Sequence, residues 1–198
     1  MQPIRVGIVI LAAGGSHRMG RPKQLLAFEG RTLIRRAVET AIASVCRPIV
    51  VTIGAHEDLV GPELQSLPVL VAHNPDWSQG LSSSLRVGID ALVKAADGVQ
   101  GVVIALADQP LVGAADINRL VDIHRETGKD IVASEYAGTR GVPVFIAARL
   151  FDDARGLHGN GGAKSLIARH VERVASAPLA LAAMDIDTPA DYERLSGR

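Results

Sequence analysis

Five short runs built almost wholly of Val, Ile and other apolar residues leave this chain few folds to choose from. They are Arg5–Leu11, Pro48–Ile53, Pro68–Ala72, Gly101–Leu106 and Asp130–Ser134. Unbroken apolarity, rather than alternation, is the mark of strands covered on both faces. The segments between them carry apolar residues at helical spacing. Leu33, Ile34, Ala37, Val38, Ala41, Ile42 and Val45 form one stripe; Leu85, Ile89, Leu92, Val93 and Ala96 form a second; Ile117, Leu120, Val121 and His124 form a third. Strand–helix alternation of this kind predicts an α/β doubly wound fold, a mainly parallel sheet with helices on both sides.

The last third reads differently. Tyr136–Ile146, "YAGTRGVPVFI", has a turn between two strand-like halves, so a small antiparallel edge is expected there. His158–Lys164, "HGNGGAK", is a Gly-rich loop before a short helix. Asp185–Leu195, "DIDTPADYERL", ends a short strand at Met184–Ile186 and opens a helix, with Thr188 as N-cap and Pro189 at the first helical position. With no internal repeat and no linker, the 198 residues are read as one domain, 1–198.

The first strand runs into Leu11–Leu26, "LAAGGSHRMGRPKQLL", a flexible loop loaded with cations. A dinucleotide-binding turn needs G-x-G-x-x-G, and Gly14, Gly15 and Gly20 do not supply it. A P-loop needs Lys and Ser/Thr after its last glycine, where this chain has Arg21 and Pro22. The stretch still suits phosphate. Gly14 and Gly15 let the backbone approach a ligand with its N–H groups exposed, while Arg18 offers a planar fork and Lys23 a mobile point charge. The plainer alternative is a Gly-rich turn with solvated cations.

Taken whole, the string resembles the signature of the nucleotidyltransferases that activate molybdopterin, in the branch of the molybdenum cofactor cytidylyltransferases. That signature, L-A-A-G-x-S-x-R-M-G-x-P-K-x-L-L, is matched at every fixed position from Leu11 to Leu26. Later stretches resemble later blocks of that family in order: "NPDWSQGLSSSLRVGI" from Asn74, "ALADQPLV" from Ala105, then "GVPVFI", "GNGGAKSLI" and "DIDTPADYERL". The resemblance implies a Rossmann-like nucleotidyltransferase fold that moves CMP from CTP to molybdopterin and releases pyrophosphate with Mg2+. It implies nucleotide contacts from Leu11, Ala12, Ala13, Gly14, Gly15, Arg18 and Lys23, with Gly80, Leu81 and Ser82 near the base and Ser83 and Ser84 opening the next helix. Arg18, Lys23 and Asp108 would carry catalysis, and a recipient apo-molybdoenzyme would be a downstream partner. Two positions depart from the family: Asn160 stands where it has Asp, and Lys164 where it has Arg, which bears on the second substrate.

The carboxylates fit the chemistry. Asp108 follows a strand almost at once, which in an open α/β sheet places it at the carboxyl edge where ligands bind. A turn role before Pro110 is the alternative. By resemblance Asp108 and Asp187 are the magnesium ligands; Asp187 could instead cap a helix, and Asp185 is an alternative ligand. Ala13 stands where GTP-using relatives carry Gly, and its methyl narrows the space in a way that suits a pyrimidine.

The remaining features mostly exclude. Lys and Arg total 21, as do Asp and Glu, which argues against a broad nucleic-acid or membrane surface. Cys46 is the single cysteine, so there is no intramolecular disulfide; with no signal-peptide pattern in Met1–Leu11, a cytoplasmic location is expected. No two of the six histidines have zinc-ligand spacing on one helix. Trp77, the lone tryptophan, reads as a packing anchor ahead of a stacking platform, and Asp152 and Asp153 as a solvated helix face. Methylerythritol phosphate cytidylyltransferases share Pro22-Lys23-Gln24 but carry a different block at Leu106–Pro110. Other phosphate acceptors, a non-catalytic cofactor carrier and a relative recruited to redox chemistry remain as rivals.

Overall fold

The structure, a computed structural model, describes residues 4–197. The first three residues of the Met1–Leu11 stretch lie outside that range. Nine strands alternate with seven α-helices among the described residues. The strands are β1 (Val6–Leu11), β2 (Ala27–Phe28), β3 (Arg31–Thr32), β4 (Ile49–Ile53), β5 (Leu70–His73), β6 (Gly101–Leu106), β7 (Ile131–Tyr136), β8 (Thr139–Ala147) and β9 (Val174–Pro178). The helices are α1 (Leu33–Ala43), α2 (Glu57–Leu64), α3 (Leu81–Ala95), α4 (Ala114–Thr127), α5 (Phe151–Arg155), α6 (Gly162–Arg169) and α7 (Pro189–Ser196).

Seven strands form one sheet in the order β5-β4-β1-β6-β8-β7-β9, and β2 pairs with β3 in a separate antiparallel ribbon. Only β8 runs against its neighbours, β6 and β7; the other pairings are parallel. The antiparallel pairing expected around Tyr136–Ile146 is therefore present as β7–β8, but it lies inside the sheet, because β9 adds a parallel strand beyond β7.

Each strand of the centre is buried on both sides, which is why the sequence shows unbroken apolar runs. Ile8 and Ile10 of β1 face a core shared with Ile34 and Val38 of α1 and Ile117 and Leu120 of α4. Val9 and Leu11 face the other way, onto Leu85, Ile89 and Leu92 of α3 and Leu166 of α6. A third, smaller cluster gathers Met19, Leu26, Phe28, Leu33, Ile186 and Leu195. It ties the cationic loop to the C-terminal segment.

The chain builds outward from β1 through β4 to β5, then returns to place β6 on the other side of β1. Open α/β sheets bind their ligands at such a reversal of strand order, outside the carboxyl ends. Leu11 lies opposite Leu106 in the β1–β6 register, so the loop after β1 and the loop bearing Asp108 leave the sheet side by side.

The C-terminal segment corrects one expectation. Met184–Ile186 is not a strand; it follows a 3-10 turn at Ala180–Ala183 and joins no ladder. Ile186 is instead buried in the third cluster, and its N–H donates to the Asp108 carbonyl at 3.0 Å. That bond carries Asp187 to the mouth of the crevice. Beyond it, Thr188 accepts from the Asp191 N–H at 3.2 Å while Asp191 accepts from the Thr188 N–H at 2.9 Å, a reciprocal cap with Pro189 at the first helical position.

Candidate functional site

The loop after β1 is held from behind. Gln24, almost fully buried, donates through Nε2 to the carbonyls of Ala12 (2.8 Å) and Gly14 (2.9 Å). The Ala13 carbonyl accepts from the Ala55 N–H at 3.0 Å, and Nε2 of His56 lies 3.2 Å from the Gly15 carbonyl. Four successive carbonyls are thus turned into the protein, and N–H groups are what the loop has left to present to the crevice. A Cβ built on Gly14 would meet nothing within 4 Å, so this position opens onto free space. Ser16 adopts φ 54° and ties the loop to its own exit, its Oγ accepting from the Lys23 N–H at 3.1 Å. Sequence reasoning missed Gln24. It occupies a variable position of the signature, and its role exists only once the loop has folded over it.

The crevice has a volume of about 690 Å3. Leu11 through Gly15, Arg18 and Lys23 line one part of it, and Asp108, Asp185 and Asp187 another. The centre is electrostatic. The Lys23 ammonium donates to the Asp108 carboxylate and, at 2.8 Å, to Asp187. Arg18 reaches Asp187 on its other oxygen at 2.8 Å. Burial alone would lower the Lys23 pKa; Asp108 and Asp187 outweigh it and hold the ammonium above its ordinary range. Burial pulls Asp187 upward, but hydrogen bonds and charge from Lys23, then Arg18, keep its carboxyl below the usual range. Asp185 is raised by burial and by the neighbouring Asp187 and Asp108 charges. Asp108 Oδ1 is buried and has no hydrogen-bond partner among the described residues.

That donor set fits a hard divalent cation. Carboxylate oxygens are what magnesium and manganese prefer, and Asp108 keeps one buried oxygen without a hydrogen-bond partner while Lys23 holds the other. No cluster of three or more His, Cys, Asp or Glu able to hold a metal occurs among the described residues. An ion here would take its other ligands from phosphate and water, as magnesium commonly does.

The second block is placed differently from expectation. Gly80 and Leu81 line the crevice, but Ser82 does not: it is buried, its Oγ accepting from the Gly162 N–H at 3.3 Å. Ser84 reaches the crevice in its stead. None of the serines caps α3, whose N-cap is Gly80 at φ 107°. Ser83 spends its hydroxyl on the carbonyls of Asp76 (2.9 Å) and Gly80 (2.8 Å), and buried Asn74 donates to both Ser83 and Ser84 at 2.9 Å. Packing against the Gly159–Gly162 loop, rather than capping, governs this run. Trp77 is also not a buried anchor; it is half-buried and lines the crevice. Asn160 lines it too, whereas Lys164 opens onto a separate hollow beside Arg140. Of the surface pair expected on α5, Asp152 is exposed and Asp153 meets His170 at 2.9 Å.

A cation-lined loop facing two carboxylates across a topological switch point defines the nucleotidyltransferase class. The chain belongs to the MobA-like NTP transferase domain family, whose pattern it matches over residues 8–174. It is 39% identical over 118 residues to a nicotine blue oxidoreductase of Paenarthrobacter nicotinovorans, covering 59% of this chain and 56% of that protein. It is 28% identical to the purine catabolism protein PucB of Bacillus subtilis, over 96% and 95% of the two chains. It is 31% identical over 87 residues to the molybdenum cofactor cytidylyltransferase of Escherichia coli, over 44% and 45%. The matched stretches of the first and third thus span about half of those relatives. Among solved structures, Rv0371c of Mycobacterium tuberculosis superposes with a TM-score of 0.82 at 28% identity over the full length of both chains. A complex of Rv0371c with manganese gives 0.78 at 27% identity, again over the full length of both chains. No helix among the described residues is long and apolar enough to cross a membrane.

Proposed function

We propose that the whole chain acts as one nucleotidyltransferase domain that transfers CMP from CTP to the phosphate of molybdopterin cofactor, releasing pyrophosphate. One observation carries the reading: Lys23 binds both Asp108 and Asp187 at the floor of a loop that turns its carbonyls away. Phosphoryl chemistry between two polyanions needs cations to neutralise charge and carboxylates to hold a divalent metal, and this crevice brings the two together. The match to the Escherichia coli cytidylyltransferase and the manganese complex of Rv0371c support the acceptor and the metal respectively.

No protein nucleophile is needed. An oxygen of the molybdopterin phosphate forms a bond to the α-phosphorus of CTP, and the bond from that phosphorus to the β-phosphate bridging oxygen breaks, leaving pyrophosphate. The amides of Gly14 and Gly15 bind the departing phosphates, and Arg18 and Lys23 stabilise the charge that builds on them. Asp108 and Asp187 would hold magnesium, which when bound neutralises the phosphates of both substrates. The shared contact with Lys23 favours Asp187 over Asp185 as the second ligand. Ala13, nearly fully buried, sets the room left for the base.

Incubating the protein with Mg2+, molybdopterin cofactor and each nucleoside triphosphate in turn, with pyrophosphate as the readout, tests the proposal. CTP should be used above the other three. Release with CTP but only in the presence of a different phosphate acceptor would keep the chemistry and replace the acceptor.

A further inference from the structure

Trp77 and His17 stand together on one side of the crevice, their ring centroids 6.2 Å apart and their planes inclined at 32°. Two missing side chains make room for them. A Cβ on Gly15 would lie 2.9 Å from Nε2 of His17 and 3.0 Å from Cζ3 of Trp77. A Cβ on Gly54 would lie 2.9 Å from Cβ of Trp77 and 3.0 Å from Cβ of Ala13. The indole is therefore seated against the phosphate-facing loop itself. The turn that carries it is braced from below, the Asp76 N–H donating at 3.0 Å to Asn74, which is buried.

An indole kept only for packing gains most from full burial. Trp77 is half-buried and lines the crevice. It lies three residues before Gly80 and touches the wall formed by Ala13 and Gly54, the side that the proposed function gives to the nucleoside. We propose that Trp77 is a stacking platform for the nucleobase of the bound nucleoside triphosphate, with His17 as the opposing jaw. A ring held between two others needs two van der Waals separations, roughly 7 Å in all. The observed spacing falls slightly short, and His17, which is exposed, turns outward to admit it. Base stacking is tolerant of base identity, so this pair supplies affinity while Ala13 and its neighbours supply choice.

The inference rests on the reading that this crevice takes a nucleoside triphosphate. Because Trp77 is the only tryptophan, intrinsic fluorescence reports on it alone. Wild-type protein with Mg2+ is titrated with CTP and, separately, with inorganic tripolyphosphate, and both ligands are followed by calorimetry on Trp77→Ala and Trp77→Phe. CTP should quench the indole and tripolyphosphate should not. Trp77→Ala should weaken CTP about ten-fold or more while leaving tripolyphosphate nearly unchanged, and Trp77→Phe should recover most of the loss. Equal weakening of both ligands would make Trp77 a prop for the loop and overturn the stacking role, as would unchanged CTP affinity. Quenching by free pterin in place of CTP would assign the platform to the acceptor's ring and overturn the assignment to the base. Failure of all four nucleoside triphosphates to bind would overturn the underlying reading and the platform with it, whereas CTP binding no tighter than tripolyphosphate and without quenching overturns the platform alone.

Discussion

Replacing Gln24 should unseat the loop without touching any group that meets a phosphate. Its amide donates to two carbonyls and its Oε1 lies 3.2 Å from Ser16 Oγ, so all three anchors vanish together in Gln24→Ala. The Ala12 residue is buried, and its carbonyl would be left without that donor, a loss of about 1–3 kcal/mol. Gly14 is exposed, so water can take over there at little cost. Removing the one remaining side-chain methylene from a buried site adds about 1 kcal/mol. The sum is about 2–4 kcal/mol, which for a chain of this size corresponds to a fall in Tm of roughly 5–15 °C. Gln24→Glu is the sharper variant: it keeps the shape but aims a second acceptor at two carbonyls, and should cost at least as much. Urea denaturation gives the stability change, and CTP titration gives the effect on the loop, which should bind several-fold more weakly in both variants. A Tm within a degree of wild type, with unchanged CTP affinity, would refute the idea that Gln24 shapes the loop.

Three further outcomes follow from the same structure. Lys23→Ala should lower turnover by roughly 10- to 150-fold, the loss of one charge-assisted contact of about 1.5–3 kcal/mol, with the fold retained by circular dichroism; unchanged steady-state kinetics would remove Lys23 from the site. Ala13→Gly should erode a preference for CTP over GTP, and equal use of both nucleotides by the wild type would defeat the steric argument. Burial pushes the Cys46 thiol up to about 11, against smaller opposing effects of Ser44, Arg47 and Arg125. The folded state therefore binds a proton that the unfolded chain releases, and stability should fall as pH rises between about 9 and 11. Denaturation of Cys46→Ala across that range should lack this component, and an identical pH dependence in the two proteins would show that the thiol does not titrate there.

The centre of the sheet was legible because β1, β4 and β6 are buried on both faces and so read as unbroken Val and Ile. The far edge was not. β9, Val174–Pro178, is a short, half-buried run of Val, Ala, Ser and Pro with no periodic signal, and it exists because β7 offers it a parallel partner. Met184–Ile186 has the composition of a strand but spends Ile186 on the third core cluster. At the site, the loop after β1 and Asp108 announce themselves through glycine and charge at a strand end. Ser82 was expected near the base and is turned away because the Gly159–Gly162 loop packs against it, a contact with no local pattern. Gln24 and Trp77 are set by contacts between distant segments, Gln24 by folding of the loop and Trp77 by the absence of Cβ at Gly15 and Gly54, and neither has a local pattern to betray it.

Asp108→Asn separates catalysis from architecture most directly. The substitution keeps the shape of the side chain, leaves Lys23 its bond to Asp187, and removes one negative charge from the place where magnesium is proposed to bind. Asn turns and caps as well as Asp, so a purely structural role predicts normal activity. The measurement is pyrophosphate release from CTP with Mg2+ and molybdopterin cofactor, paired with a melting curve. The account predicts a loss of at least about 100-fold in rate with Tm nearly unchanged. Full activity in Asp108→Asn would contradict it.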